Sequence, residues 1–218
     1  MRDRSNSDPK VVQGFGEEWA RFTQSELDTL ERDEIFHDYF SIFPWNELPT
    51  QSIGADIGCG SGRWATVVAP RVGQLICVDA SADALAVARN NLAGISNVTF
   101  HQTDVGQLPF EDESLDFAYS LGVLHHVPDT GSAICNIAKT LKRGGVILVY
   151  LYYAFDNRPW WYRQIWNVSD AIRSFISRLP RYPRHLLCDA LAAFVYWPLA
   201  RSASLLARIG YRIENFPL

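Results

Sequence analysis

The chain has 218 residues, 48% of them hydrophobic, which suffices for one domain with a full core. Its formal net charge of −4 provides no broad basic field, so composition argues against a nucleic-acid-binding protein. Cys59, Cys77, Cys135 and Cys188 are scattered, which excludes the usual zinc spacings and a disulfide framework; no metal and a reducing, cytoplasmic compartment are expected.

Residues 1–10 are polar and charged, so no secretory signal is read there, and no apolar run reaches the ~18 residues of a membrane-crossing helix. Residues 1–13 are expected to form a mobile tail. A helical stretch follows from Gly14 to about Phe43, with Trp19, Phe22, Leu30, Phe36 and Phe40 at loosely helical spacing. Thr23 or Ser25 is placed to cap a break within it. This stretch either covers a sheet edge or closes over a ligand, in which case Phe15 and Trp19 face that ligand.

Ser52–Ile57 reads as the first strand and runs into Asp56-Ile57-Gly58-Cys59-Gly60-Ser61-Gly62. Three glycines at alternate positions, between a strand and a helix, shape a turn around a ligand. The dinucleotide fingerprint G-x-G-x-x-G is not met, because Arg63 holds its third slot, and no phosphate-binding G-x-x-x-x-G-K-[ST] is present. Asp56, two residues ahead of the first glycine, is awkward for a pyrophosphate and suits a ligand with a cationic head.

The helix Arg63–Arg71 comes next, its first N–H groups suited to a carboxylate. Leu75–Val78 is the second strand and ends at Asp79, 23 residues after Asp56. An acid at that separation and at a strand's end accepts both ribose hydroxyls. Its alternative is to cap the helix Ala82–Leu92, a role for which Ser81 and Asp83 compete. Val98–His101 is the third strand, followed by Asp104, which also fits a turn before Gly106. Leu115–Ser120 is the fourth strand, and Ser120–His126 forms its C-terminal mouth, on the rim that holds ligands in open α/β sheets. His125 is a candidate general base there, although adjacent His125 and His126 cannot both point into one pocket. Thr130–Leu141 is a helix closed by Lys142-Arg143-Gly144-Gly145. Val146–Tyr152 is the fifth strand, apolar throughout as buried parallel strands are.

In content and order, Asp56–Gly62, Ile76–Asp79, Thr103–Val105, Leu115–Ser120, Leu124–Val127 and Lys142–Gly145 resemble the motifs of class I S-adenosylmethionine-dependent methyltransferases. The likeness is to the group that includes the quinone-biosynthesis methyltransferases, and it covers roughly residues 50–150. It implies a doubly wound, Rossmann-like α/β fold with a mostly parallel sheet in the order 3-2-1-4-5. It implies S-adenosylmethionine as cofactor and S-adenosylhomocysteine as product. Asp56, Gly58, Gly60, Gly62, Asp79, Ala80 and Ser120 are then cofactor contacts, with Asp104 on the adenine amine and the Val105 N–H on a ring nitrogen. The implied reaction is methyl transfer to a small, apolar or aromatic acceptor, with Phe15, Trp19, His125 and Tyr152 as candidate substrate or lid residues. Readings from other classes are a non-catalytic S-adenosylmethionine-binding protein, a membrane-associated lipid or quinone methyltransferase, and a nucleotide-dependent oxidoreductase, which Arg63 disfavours.

The remainder departs from that family core, which adds a helix and two more strands. Asn157–Gly210 reads as helices broken at Pro159, Pro180, Pro183 and Pro198, rich in aromatic residues and arginine. Ile213–Leu218 is too short for two strands. Either the chain is a shortened version of a longer protein, which is the expectation, or this segment replaces the sheet edge. Residues 185–210 are expected to be a substrate cap, with a helix lying on a membrane surface as the alternative. The expected partition is 1–48 as tail and helical lid, 49–155 as the cofactor-binding core, and 156–218 as a helical, aromatic-rich cap.

Overall fold

The computed structural model describes residues 5–24, 28–152 and 159–208. Backbone contacts divide the chain into two units, Met1–Tyr152 and Tyr153–Leu218.

The first unit is built on β1 (Ile53–Ile57), β2 (Gln74–Asp79), β3 (Val98–Gln102), β4 (Leu115–Leu121) and β5 (Leu141–Tyr150). All pair in parallel in the order β3-β2-β1-β4-β5, the order expected from the sequence. Among the described residues no further strand joins them. The order reverses beside β1, which opens a crevice at the C-terminal ends of β1 and β4.

Side-chain alternation along the strands gives the sheet two apolar faces. Leu75, Cys77, Phe117 and Tyr119 face α2 (Thr29–Phe40) and the short α3 (Ala65–Val68), against Phe36, Phe40, Trp64 and Val68. Ala55, Ile57, Val78, Leu115 and Ala118 face α5 (Thr130–Thr140), against Ala133 and Ile137. At Gly54 a Cβ would lie 2.0 Å from the Phe117 ring, so β4 closes on β1 only because that position is bare. Phe117 is fully buried, and truncating it to alanine costs about 3–5 kcal/mol.

Several local expectations are corrected. The supposed tail is held: α1 (Pro9–Arg21) begins within it, capped by Asp8, whose side chain accepts from the Lys10 N–H, with Pro9 in the first turn. The helical stretch to Phe43 is two helices, because α1 ends at Arg21 and Gln24 takes a positive φ of 57°. Ser25 lies outside the described residues. The helix expected over 63–71 is one α-turn, α3, continued by a 3-10 turn at Ala69–Arg71, where Pro70 enters. Lys142–Gly145 does not continue α5; it is a bulge in the β4–β5 pairing, which jumps from Leu115↔Leu141 to Phe117↔Val146. The Lys142 ammonium donates to Asp116 Oδ1 at 2.7 Å, and the Ile53 N–H donates to Asp116 Oδ2 at 2.8 Å.

The described part of the second unit is helical: α6 (Trp160–Ser177), α7 (Arg181–Leu191), a π-helical segment Ala192–Tyr196, and α8 (Trp197–Arg208). Pro159 and Pro180 stand immediately before helices, as expected of breaks. Pro183 and Pro198 do not break the chain. Pro183 lies in the first turn of α7, where the N–H it lacks needs no helical partner, and Pro198 follows the π-helical segment directly, within one continuous helical run.

Candidate active site

The crevice is a cleft enclosing about 1010 Å³, its mouth to solvent included. Its floor is the turn after β1. Gly58 and Gly60 have φ of 77° and 53°, the left-handed region that glycine alone enters freely. A Cβ on Gly60 would lie 2.8 Å from the Trp19 indole, and one on Gly58 would lie 2.5 Å from Val123. The turn therefore presents bare backbone beneath an α1 side chain. Gly62 points elsewhere, toward Leu92 and Ala88 beyond α4 (Ala82–Asn91) and within it.

Asp79 ends β2 at the cleft wall. Its Oδ2 accepts the Gly60 N–H at 2.9 Å and its Oδ1 accepts the Ser81 N–H at 2.8 Å. Ser81 caps α4 by accepting from the Ala84 N–H, so the competing capping role is filled without Asp79. Burial raises the Asp79 pKa, against the nearby backbone N–H groups of Ser81, Gly60 and Ala80, which lower it. Each oxygen spends one lone-pair direction on the backbone and keeps another for a ligand.

Asp104, after β3, also lines the cleft, with Val105 buried beside it. Its Oδ1 accepts from the N–H groups of Gly106 at 2.7 Å and Asn6 at 2.9 Å; its Oδ2 accepts the Ser5 hydroxyl at 3.0 Å. Asn6 is buried and pairs reciprocally with Asp129, donating to its carbonyl at 2.7 Å and accepting its N–H at 3.0 Å. The N-terminal segment thus closes one side of the cleft, and Asn6, Ser7, Asp8, Val11 and Val12 line it. Sequence reasoning missed these residues, although Asp8-Pro9 is a helix-start signal that would have placed them at an ordered element.

Of the residues singled out from sequence, Gly58, Gly60, Asp79, Ala80, Asp104, Val105, Phe15 and Trp19 line the cleft. Asp56, Gly62, Ser120, His125 and Tyr152 do not. Asp56 is turned under the turn, buried, with Tyr119 donating to its Oδ2 at 2.9 Å. Burial pushes its carboxyl up to about 8, against the lowering effect of the Tyr119 hydrogen bond. Such a group supports the floor from below instead of lining the cleft. Ser120 is likewise internal, its hydroxyl donating to the Ile57 carbonyl at 2.8 Å.

His125 lies between Tyr152, with ring centroids 3.9 Å apart, and His126, at 4.0 Å. Both its ring nitrogens are buried without a hydrogen-bond partner, and burial lowers its pKa. His126, not His125, reaches the cleft, 4.9 Å from the Phe15 ring. These rings continue an arc: Tyr152 meets Tyr150 at 6.2 Å, Tyr150 meets Tyr39 at 4.9 Å, and Tyr39 meets Trp64 at 5.5 Å. Its two ends, Trp64 on one side and His126 with Phe15 on the other, are on the cleft wall. Arg63, also on that wall, stacks 4.1 Å over Trp64, and its Nε is buried without a hydrogen-bond partner. Among the described residues no group of three or more His, Cys, Asp or Glu side chains could hold a metal ion.

Bare turn, wall carboxylates and strand order coincide with a match of residues 55–149 to the methyltransferase domain family. These residues are a class I S-adenosylmethionine-dependent methyltransferase domain. The chain is similar to the uncharacterized methyltransferase YcgJ of Bacillus subtilis, 31% identical over 165 residues, which are 75% of this chain and 60% of YcgJ. It is 32% identical over 96 residues to the demethylmenaquinone methyltransferase of Staphylococcus aureus, covering 43% of this chain and 40% of that enzyme. The chain therefore spans less than two thirds of the length of these relatives. In the solved structures, the [4+2]-cyclase SpnF shares the fold of the methyltransferase domain, with a TM-score of 0.59 and 22% identity over 71% of this chain and 65% of that one.

Proposed function

We propose that the chain binds S-adenosylmethionine in this cleft and transfers its methyl group to a small, apolar or aromatic acceptor, releasing S-adenosylhomocysteine. The observation that carries the reading is the convergence on one cleft of the bare Gly58–Gly60 turn and the Asp79 and Asp104 carboxylates. The donor set suits the cofactor. Asp79 has acceptor capacity left for two ribose hydroxyls, and Asp104 has room at Oδ2 for one further donor such as an adenine amine. At the other end, Arg63 offers a guanidinium for the methionine carboxylate. The helix N-terminus expected for that role contributes less, since the Thr66 and Val67 N–H groups are bonded within the turn.

Bound S-adenosylmethionine supplies an electrophilic methyl on a sulfonium, which needs no further activation. The chain's own task is then to orient and to exclude water. Trp19 over the turn and α1 across the mouth do the second. Holding two reactants in line is worth about 7–11 kcal/mol in favourable cases, so no strong base is required of the site. His126 is the imidazole on the wall, and it can take a proton from an acceptor hydroxyl or amine. The rings of Phe15, His126 and Trp64 favour a flat, apolar acceptor.

The test is calorimetry of the full chain with S-adenosylmethionine, S-adenosylhomocysteine and NAD, followed by an acceptor screen that reads S-adenosylhomocysteine release. Micromolar binding of the first two without NAD is expected. A folded chain that binds none of them refutes the cofactor site. One that binds cofactor but yields no product across apolar and aromatic acceptors refutes the transfer reaction.

A further inference from the structure

We propose that α6–α8 form a docking surface for an anionic lipid membrane, with their apolar side chains entering the interfacial layer and their arginines meeting lipid phosphate. This rests on the second unit alone and not on the cofactor reading. On α6, Trp161, Ile165, Val168, Ile172 and Phe175 recur at helical spacing along one side. That side is open, with these residues 38%, 47%, 60%, 47% and 64% exposed, and no residue of α6 is buried. The opposite side carries Arg163, Asn167, Asp170 and Ser174. The stretch from α7 to α8 repeats the pattern, with Leu187, Leu191, Phe194, Val195 and Leu199 all exposed. Apolar stripes of this size on three successive helices mark a surface for a partner, not for water.

Charge and composition say which partner. Residues 159–208 hold seven arginines and two aspartates, with no lysine or glutamate, a net of +5 within a chain whose total is −4. Four of the seven tryptophans, Trp160, Trp161, Trp166 and Trp197, lie in the same stretch. Tryptophan, tyrosine and arginine on an amphipathic helix are the composition of the bilayer interface. A second copy docked through this same face would bring the same +5 against itself, whereas an anionic lipid surface complements it. Among the described residues no helix is long and apolar enough to cross a membrane, so the mode is lying on the surface.

The experiment is co-sedimentation of the full chain with large vesicles of phosphatidylcholine alone, or with about 30% phosphatidylglycerol, at about 0.1 M and 0.5 M salt. Binding to the anionic vesicles is expected to be at least tenfold tighter, and to weaken about tenfold at the higher salt. Arg178→Gln together with Arg201→Gln removes most of the anionic preference, up to roughly 30-fold at about fivefold per arginine. Ile165→Ser with Ile172→Ser abolishes binding to both vesicles. In each variant, binding of S-adenosylhomocysteine or, failing that, a cooperative thermal transition shows that the chain is folded. Equal, salt-insensitive binding to both vesicles overturns the proposal. So does a folded chain that binds neither, or one that forms oligomers through this face, dissociated by Ile165→Ser with Ile172→Ser, instead of sedimenting with lipid.

Discussion

Replacing Asp79→Asn separates two jobs that one carboxylate holds. In the structure it takes two backbone N–H groups, from Gly60 and Ser81, and so fixes the glycine turn. In the proposed function it also takes two ribose hydroxyls. Asparagine keeps the shape, but it has one acceptor oxygen and turns an NH₂ toward one of the backbone donors. The stability cost is that of one unsatisfied donor, about 1–3 kcal/mol. The binding cost is two hydrogen bonds to a charged acceptor, each worth about 1.5–3 kcal/mol; a total near the lower end, about 3 kcal/mol, is roughly two orders of magnitude in Kd. Calorimetry with S-adenosylhomocysteine and its 2′-deoxy analogue closes a double-mutant cycle. The wild type is expected to bind the deoxy ligand more weakly, and Asp79→Asn to discriminate little between the two, leaving a coupling of at least about 1 kcal/mol. If the substitution weakens both ligands by the same factor, Asp79 only holds the turn, and the ribose assignment is wrong.

Asp56 gives a pH-dependent counterpart. Burial lifts its carboxyl from 3.8 to about 8, so the folded chain keeps a proton that the unfolded chain releases. Its contribution is present below about pH 4 and is lost as pH rises to about 8, with a slope of up to about 1.4 kcal/mol per unit. Asp56→Asn removes that slope, and urea unfolding near pH 5, 7 and 9 reads it; parallel profiles for both proteins would contradict the burial argument. Gly60→Ala strains a backbone at φ 53° by about 1–2 kcal/mol and pushes its Cβ into Trp19, so cofactor affinity should fall and tryptophan fluorescence change, with Trp19→Leu relieving the clash but not the strain. Asn6→Ala removes two reciprocal bonds to Asp129, about 1 kcal/mol each. Limited proteolysis at Lys10 and Arg21 should then quicken by up to about 30-fold with little change in global stability, and an unchanged cleavage rate would mean that Asn6 does not hold the segment.

The sheet was legible because β1, β2, β4 and the second half of β5 are short apolar runs closed by polar or turn residues, and because the motifs arrive in βα alternation. Asp79 and Asp104 were legible for a related reason: a residue at the C-terminal end of a parallel strand has few directions to point except toward the crevice. Direction within the rim was not legible. Asp56 lies inside β1, where alternation turned its carboxyl under the floor to Tyr119. His125 and His126 share one 3-10 turn, and only packing against Tyr152 decided which of them faces the cleft. Polarity misled at the N-terminus: Ser5 to Asp8 read as solvated, yet their polar groups are spent on Asp104, Asp129 and the start of α1. Proline misled at Pro183, since its missing N–H matters in a helix interior and hardly at all in a first turn.

That N-terminal segment is where fold and function meet. Three walls of the cleft come from the sheet and its turns, so they are fixed by the core. The fourth is α1 and the residues before it, attached by Asn6 and Ser5 to two loops, by Gly16 against Ser81, and by Trp19 against Gly60. At Gly16 a Cβ would lie 2.5 Å from the Ser81 hydroxyl, so α1 approaches the start of α4 closely. Beyond the packing of α1 on α4, these contacts are a few hydrogen bonds, worth about 1 kcal/mol each. A wall so attached opens far more often than the sheet unfolds. A ligand of nucleoside size can therefore enter beside Asp104 by displacing Ser5, while Trp19 returns over the turn. On the proposed function, the sheet would fix where the cofactor lies, and the N-terminal contacts would set how fast it exchanges.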